Sequence, residues 1–180
     1  MTDVNILAKF ILKWEGGFVN NPNDPGGATN KGVTIAVWKA QGYDKNGDGR
    51  IDVNDLKLIT DADAIKILKS NYWNRWFADK ITSQAVANTL VDWVWGSGAW
   101  GIKIPQRLLG LKENGIVDYV TLNMLNNRII KDKEAFLQDL YKARYQYLND
   151  IVKKNPKLQV FFKGWNNRMN DLVKFNKQFN

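Results

Sequence analysis

The chain has 180 residues, 44% of them apolar, with eight tryptophans and only four prolines, a composition that builds a packed core and excludes a disordered chain. Its 26 Lys and Arg against 18 Asp and Glu give a formal charge of +8, suited to an anionic partner such as nucleic acid, a membrane surface or a bacterial wall. It has neither Cys nor His, which excludes disulfides, thiol chemistry and Ser-His-Asp or Cys-His sites and leaves carboxylates as the general acids and bases.

In chain order, Val4, Leu7, Phe10, Ile11 and Trp14 recur at helical spacing behind Thr2 and Asp3 as capping candidates, and Gly16-Gly17 closes the pattern. The spacing predicts a first helix over 3–15. Lys9 and Lys13 interrupt it, so it is expected to be neither a signal peptide nor a membrane span. A loop rich in Gly, Pro and Asn follows, and then Thr34 caps a short helix, IAVWKAQ, ended by Gly42. Thr60-Asp61-Ala62-Asp63 forms a capping box for a helix reaching Trp73.

Ser83 opens an apolar helix over 84–95, stopped by Gly96-Ser97-Gly98. Shorter segments are expected at 100–110 and 118–127, then a long amphipathic helix over 133–153, broken at Asn155-Pro156, and a last helix over 159–175. No period-2 alternation stands out. The fold class is mainly α. The basic residues are scattered without a run of five or six, so a nucleic-acid arm is not indicated.

Three constellations could carry chemistry. Glu15 falls at the C-terminal end of the first helix, directly before Gly16-Gly17, and is the candidate proton donor. Asp24 follows nine positions later in a glycine-flanked loop among asparagines, expected to stay ionised. Two carboxyls in such different surroundings suit glycosidic cleavage, one protonating the leaving oxygen and the other assisting water. The plain alternative is a surface helix end and an Asx turn ahead of Pro25.

The second constellation, DKNGDGRIDVND at 44–55, has the order of a calcium loop: Asp44, Asn46 and Asp48 as ligands, Gly49 at the turn, the Arg50 carbonyl, apolar Ile51, Asp52 at the ninth place and Asp55 at the twelfth, where Glu is usual. It is expected to hold one structural Ca²⁺, the alternative being an acidic pair of turns. The third is the aromatic series around Tyr72, Trp73, Asp92 and Trp95, either rings that stack on sugars or core.

The run WEGGF, followed by DPGGATNKGVT, resembles the N-terminal signature of the phage-type muramidases of glycoside hydrolase family 108. NYW, LVDWVWGSG and the terminal KGWNNR resemble later parts of that family, so that the likeness covers nearly the whole chain. The resemblance implies a lysozyme-like helical domain, with Glu15 as the catalytic acid. The order Glu15, Asp24, Thr29 is similar to that of phage lysozymes, whose threonine comes one position later, and implies that Asp24 and Thr29 serve the attacking water.

By the same likeness, residues 1–91 form the catalytic region and 92–180 a helical, peptidoglycan-binding-like region forming one compact unit with it, and Tyr72, Trp73, Asp92 and Trp95 contact substrate. The expected partner is bacterial peptidoglycan. As in phage and prophage endolysins, the protein would be cytoplasmic before release, would need a holin or another export partner, and would act at the cell wall. Rival readings are a lytic transglycosylase and a non-catalytic wall-binding or secretion-assisting module.

Overall fold

The computed structural model describes residues 1–20 and 27–179. Among these residues the chain forms eight α-helices and one two-stranded sheet, and its contacts divide it into two units, 4–71 and 72–180 with 1–3. The division expected between 91 and 92 falls inside a helix of the second unit.

In the first unit, α1 (Val4–Trp14) buries Val4, Leu7, Ala8, Phe10 and Ile11, the apolar stripe seen in the sequence. Ahead of it, the Thr2 hydroxyl donates to the Ala78 carbonyl. After α1, Val19 forms an antiparallel bridge with Thr29, each amide donating to the other carbonyl at 2.8 Å. Thr29 opens a hairpin that the sequence pattern did not reveal: β1 (Thr29–Asn30) pairs with β2 (Val33–Thr34). The turn residues Lys31 and Gly32 have φ of 50° and 75°, the positive values that a tight two-residue hairpin requires. Strands of two residues are too short to leave an alternating signal.

The buried Asn30 side chain donates to the carbonyls of Leu56 and Lys57 at 2.8 and 3.3 Å, tying the hairpin to α3 (Val53–Lys57). Thr34 caps α2 (Ile35–Gln41), and α4 (Asp61–Leu68) starts in the expected capping box of Thr60 and Asp63. Gly42 ends α2 directly over Trp38: a Cβ there would lie 2.4 Å from the indole ring. Ala28, Val33, Trp38, Leu56, Ile59, Ala64 and Ile67 form a common core for the hairpin and these three helices.

In the second unit, Ala85 to Val94 of α5 (Gln84–Ser97) are all buried, so α5 is a central helix enclosed on every side, with α6, α7 and α8 packed around it. Gly101, in the first turn of α6 (Trp100–Leu108), lies against the α5 backbone, where a Cβ would come within 2.4 Å of the Val94 nitrogen. α7 (Tyr119–Lys154) is broken at Asp132, whose extended backbone ends one helix and whose carboxylate accepts from the Ala135 amide at 2.9 Å to start the next. The two expected segments, 118–127 and 133–153, are therefore both present.

α8 (Gln159–Asn176) follows the Asn155-Pro156 break. Its buried Asn176 donates to Thr89 and Tyr141 at 3.0 Å each and accepts from Asn88, so that one satisfied polar cluster joins α5, α7 and α8.

Candidate active site and the residues around it

Glu15 sits one residue beyond α1, its amide still donating to the Ile11 carbonyl at 2.9 Å. The side chain is half-buried, and the next five residues are exposed. Among the described residues nothing approaches within 4 Å of where a Cβ would stand at Gly16 or Gly17. Apolar packing of α1 thus fixes the carboxyl at a helix end, beside two glycines that add no side chain.

Thr29 is half-buried in β1 and held through its backbone by Val19. Asp24 lies outside the described residues, so its relation to Glu15 is part of the proposal below.

The loop at 44–55 is organised by its own carboxylates. Asp44 accepts from the amides of Gly47 and Gly49 at 2.7 Å each, Asn46 from Asp48, Asp48 from Arg50, and Asp52 from Asn54. Gly47 and Gly49 adopt φ of 78° and 83°, conformations that favour glycine. These bonds leave lone pairs on the oxygens of Asp44, Asn46 and Asp48, which are hard donors of the kind calcium takes.

Asp55 stands differently. It is fully buried and forms the α3 capping box, one oxygen accepting from Lys45 and Asn46 and the other from Asp52. The amide of Asp52 contributes most to holding this carboxyl below its ordinary range; burial opposes it, and the Lys45 and Asn46 amides add to the lowering. Asp55 therefore organises the loop from inside. Among the described residues, no group of three or more carboxylates is gathered as a metal cage.

Of the residues expected at the sugar, Tyr72 and Trp95 are half-buried and pack with ring centroids 4.6 Å apart. Trp73 and Asp92 have no exposed surface. The Trp73 indole donates to Asp79 at 2.8 Å, so this ring is core. Asp92 is the centre of an ion cluster: Arg168 Nη2 lies 2.7 Å from Oδ1 and Arg144 Nη1 lies 2.9 Å from Oδ2. Burial alone would push the Asp92 carboxyl up, but the charges of Arg144 and Arg168 outweigh it and hold it below the ordinary range.

Asp92 is thus the tie joining α5 to α7 and α8, and its enclosure leaves it no surface to offer a sugar. The sequence around Asp92 carries no local sign of the two arginines. Arg144 had a signal: it stands in register with Leu137, Leu140, Tyr141 and Leu148, on the buried stripe of α7.

A mainly α, lysozyme-like fold with a half-buried carboxyl at the end of its first helix is the frame of a peptidoglycan hydrolase, and comparison with known proteins agrees. The family Glycosyl hydrolase 108 matches residues 8–98, and Predicted Peptidoglycan domain matches residues 100–170. The chain belongs to the Glycosyl hydrolase 108 family. The structure of Brucella abortus SagA is similar to it, at 28% identity and a TM-score of 0.73, covering 98% of this chain and 94% of that one. No curated protein matches the chain. Among the described residues no helix is long and apolar enough to cross a membrane.

Proposed function

We propose that this hydrolase is an N-acetylmuramidase in which Glu15 is the general acid. Its carboxyl proton passes to the glycosidic oxygen as the bond from that oxygen to the anomeric carbon breaks. Water supplies hydroxide to the same carbon and gives its other proton to Asp24, with the Thr29 hydroxyl orienting the water. The observation that carries the reading is the placement of Glu15, a carboxyl directly after the α1 helix and beside a glycine pair.

The basic surface, +8 in formal charge, favours approach to an acidic wall. Around this chemistry we place a structural Ca²⁺ at Asp44, Asn46, Asp48, the Arg50 carbonyl and Asp52, the side-chain and carbonyl oxygens of the loop that Asp55 braces. Tyr72 and Trp95 remain the candidate aromatic contacts for sugar. Export through a holin or another route, from the cytoplasm of a bacterial or phage-infected cell, completes the reading as a lysis enzyme.

Glu15→Gln keeps the size of the side chain and removes the proton. Wall clearing should fall by about 10² to 10⁴ while circular dichroism and wall pull-down stay unchanged. Clearing at the wild-type rate sinks the assignment. The ends released by the wild type decide the reaction type: reducing ends support hydrolysis, and anhydro ends turn the reading to a lytic transglycosylase.

A further inference from the structure

We infer that the groove between α6 and α7 is a non-catalytic subsite for one N-acetylated sugar ring of the glycan strand; this rests on the reading of the chain as acting on peptidoglycan. The groove has a volume of about 320 Å³ and is lined by Trp100, Ile104 and Arg107 from α6 and by Gln146, Tyr147 and Asp150 from α7, among others. That volume is at the small end of ligand sites and suits a single ring.

Three features select the occupant. First, the groove offers an aromatic wall: Trp100 is 46% exposed, unusual for its size, and its ring lies 6.1 Å from that of Tyr147. An exposed indole beside a concavity presents a flat apolar surface for the C–H face of a sugar. Second, α7 adds a polar pair to the lining, with Gln146 Nε2 donating to Asp150 Oδ1 at 2.8 Å. This pair leaves an amide oxygen, an N–H and carboxylate lone pairs for hydroxyl and N-acetyl groups.

Third, the arginine at the rim is already committed. Arg107 makes a two-pronged contact with Glu113, Nε and Nη2 each at 2.7 Å, so its fork is not open to the carboxylate of a stem peptide; Lys154 also lines the groove, and the peptide probe below tests that cation. The lining residues also lie within 100–170, the stretch matched by the peptidoglycan domain, which names the polymer but not the place or the part of it that binds.

The test uses the full chain carrying Glu15→Gln, so that the probe is not consumed, with two probes: the GlcNAc–MurNAc disaccharide without peptide, and a free stem tetrapeptide. The disaccharide should shift the Trp100 indole N–H signal in a ¹⁵N correlation spectrum. Trp100→Ala and Asp150→Ala should each weaken its binding by about 3- to 10-fold. Asp150 is only half-buried, so its variant remains informative if loss of the indole disturbs the fold. The inference is overturned if the disaccharide leaves the groove signals unmoved, if both variants bind it as the parent does, or if the tetrapeptide alone occupies the groove.

Wall clearing by the unsubstituted chain is scored separately. Disaccharide bound at the groove without any clearing overturns the hydrolytic reading and supports the groove. Clearing without disaccharide at the groove overturns the groove alone.

Discussion

Asp92 Oδ1 accepts a hydrogen bond of 2.7 Å from Arg168 Nη2 across 76 residues of sequence, and Arg144 closes the other side of the same carboxylate at 2.9 Å. A buried acid between two cations contributes less as an interaction than it costs when broken, because removing one partner strands the others in a poorly solvated place. Asp92→Ala leaves the almost wholly enclosed Arg144 uncompensated and is expected to cost about 3 to 5 kcal/mol in urea unfolding. Arg168→Leu should cost less, since Arg144 still neutralises the acid.

The same cluster fixes a pH dependence. The folded carboxyl is held below its unfolded value of about 3.9, so its contribution is fully present above that pH and is lost as pH falls through the lower folded value. Acid unfolding of the wild type should be steeper than that of Asp92→Asn, which has no such proton to take up. Equal slopes below pH 4 would count against the cluster as the acid-sensitive tie.

Gln106 gives a second stability prediction. It is buried, and all the hydrogen bonds of its amide go to one turn: it donates to Asn114 at 2.8 Å and to the Ile116 carbonyl at 2.9 Å, and accepts from the Gly115 amide at 2.9 Å. Gln106→Ala strands a turn amide and a carbonyl and should cost roughly 1 to 3 kcal/mol. Gln106→Glu, which keeps the acceptor and loses the donor, is expected to be destabilising as well. Chemical denaturation of the two variants checks both.

The helical elements were legible because their signals are local. The stripe of α1, the caps at Thr34, Thr60 and Ser83, and the breaks at Gly42 and Pro156 each act within a turn or two of chain. The hairpin at Thr29–Thr34 was hidden because its strands hold two residues each. For Asp92 and Trp73 the residue type was compatible with both a wet cleft and a core. What decided between them was contact with Arg144, Arg168 and Asp79, two of which come from more than 50 residues away, beyond any local pattern. Glu15 was legible as a helix-end carboxyl, whereas Asp55 read as a ligand because spacing does not reveal that amides of Lys45, Asn46 and Asp52 already surround it.

The proposed calcium site is tested by linkage. An ion that binds the folded loop alone raises stability as RT ln(1 + [L]/Kd), about 2.7 kcal/mol at a hundredfold excess over Kd. A chelator-stripped sample should therefore melt higher as calcium is added, and Asp48→Ala should flatten the response. Asp55→Ala should lower the melting temperature even in chelator, because its carboxylate braces the loop amides without any ion. A melting temperature indifferent to calcium over a wide range removes the ion from the proposal and leaves the hydrogen-bonded loop standing.

Thr29 allows the catalytic and structural uses of one residue to be separated. Its contribution to the fold runs through the backbone, which pairs with Val19 and, within the hairpin, opposite Thr34. Valine has the same branched shape and a similar preference for strands but no hydroxyl. Thr29→Val should therefore keep its melting temperature within about a degree or two, a change under roughly 0.5 kcal/mol. If the hydroxyl orients the attacking water, wall clearing should drop by about tenfold, the size of one hydrogen bond of about 1.4 kcal/mol realised in the transition state. The effect belongs in kcat, with little change in KM, since the water and not the sugar has lost its partner. Unchanged clearing in a stably folded Thr29→Val chain would leave Thr29 as a strand residue only and pass the water to Asp24 alone.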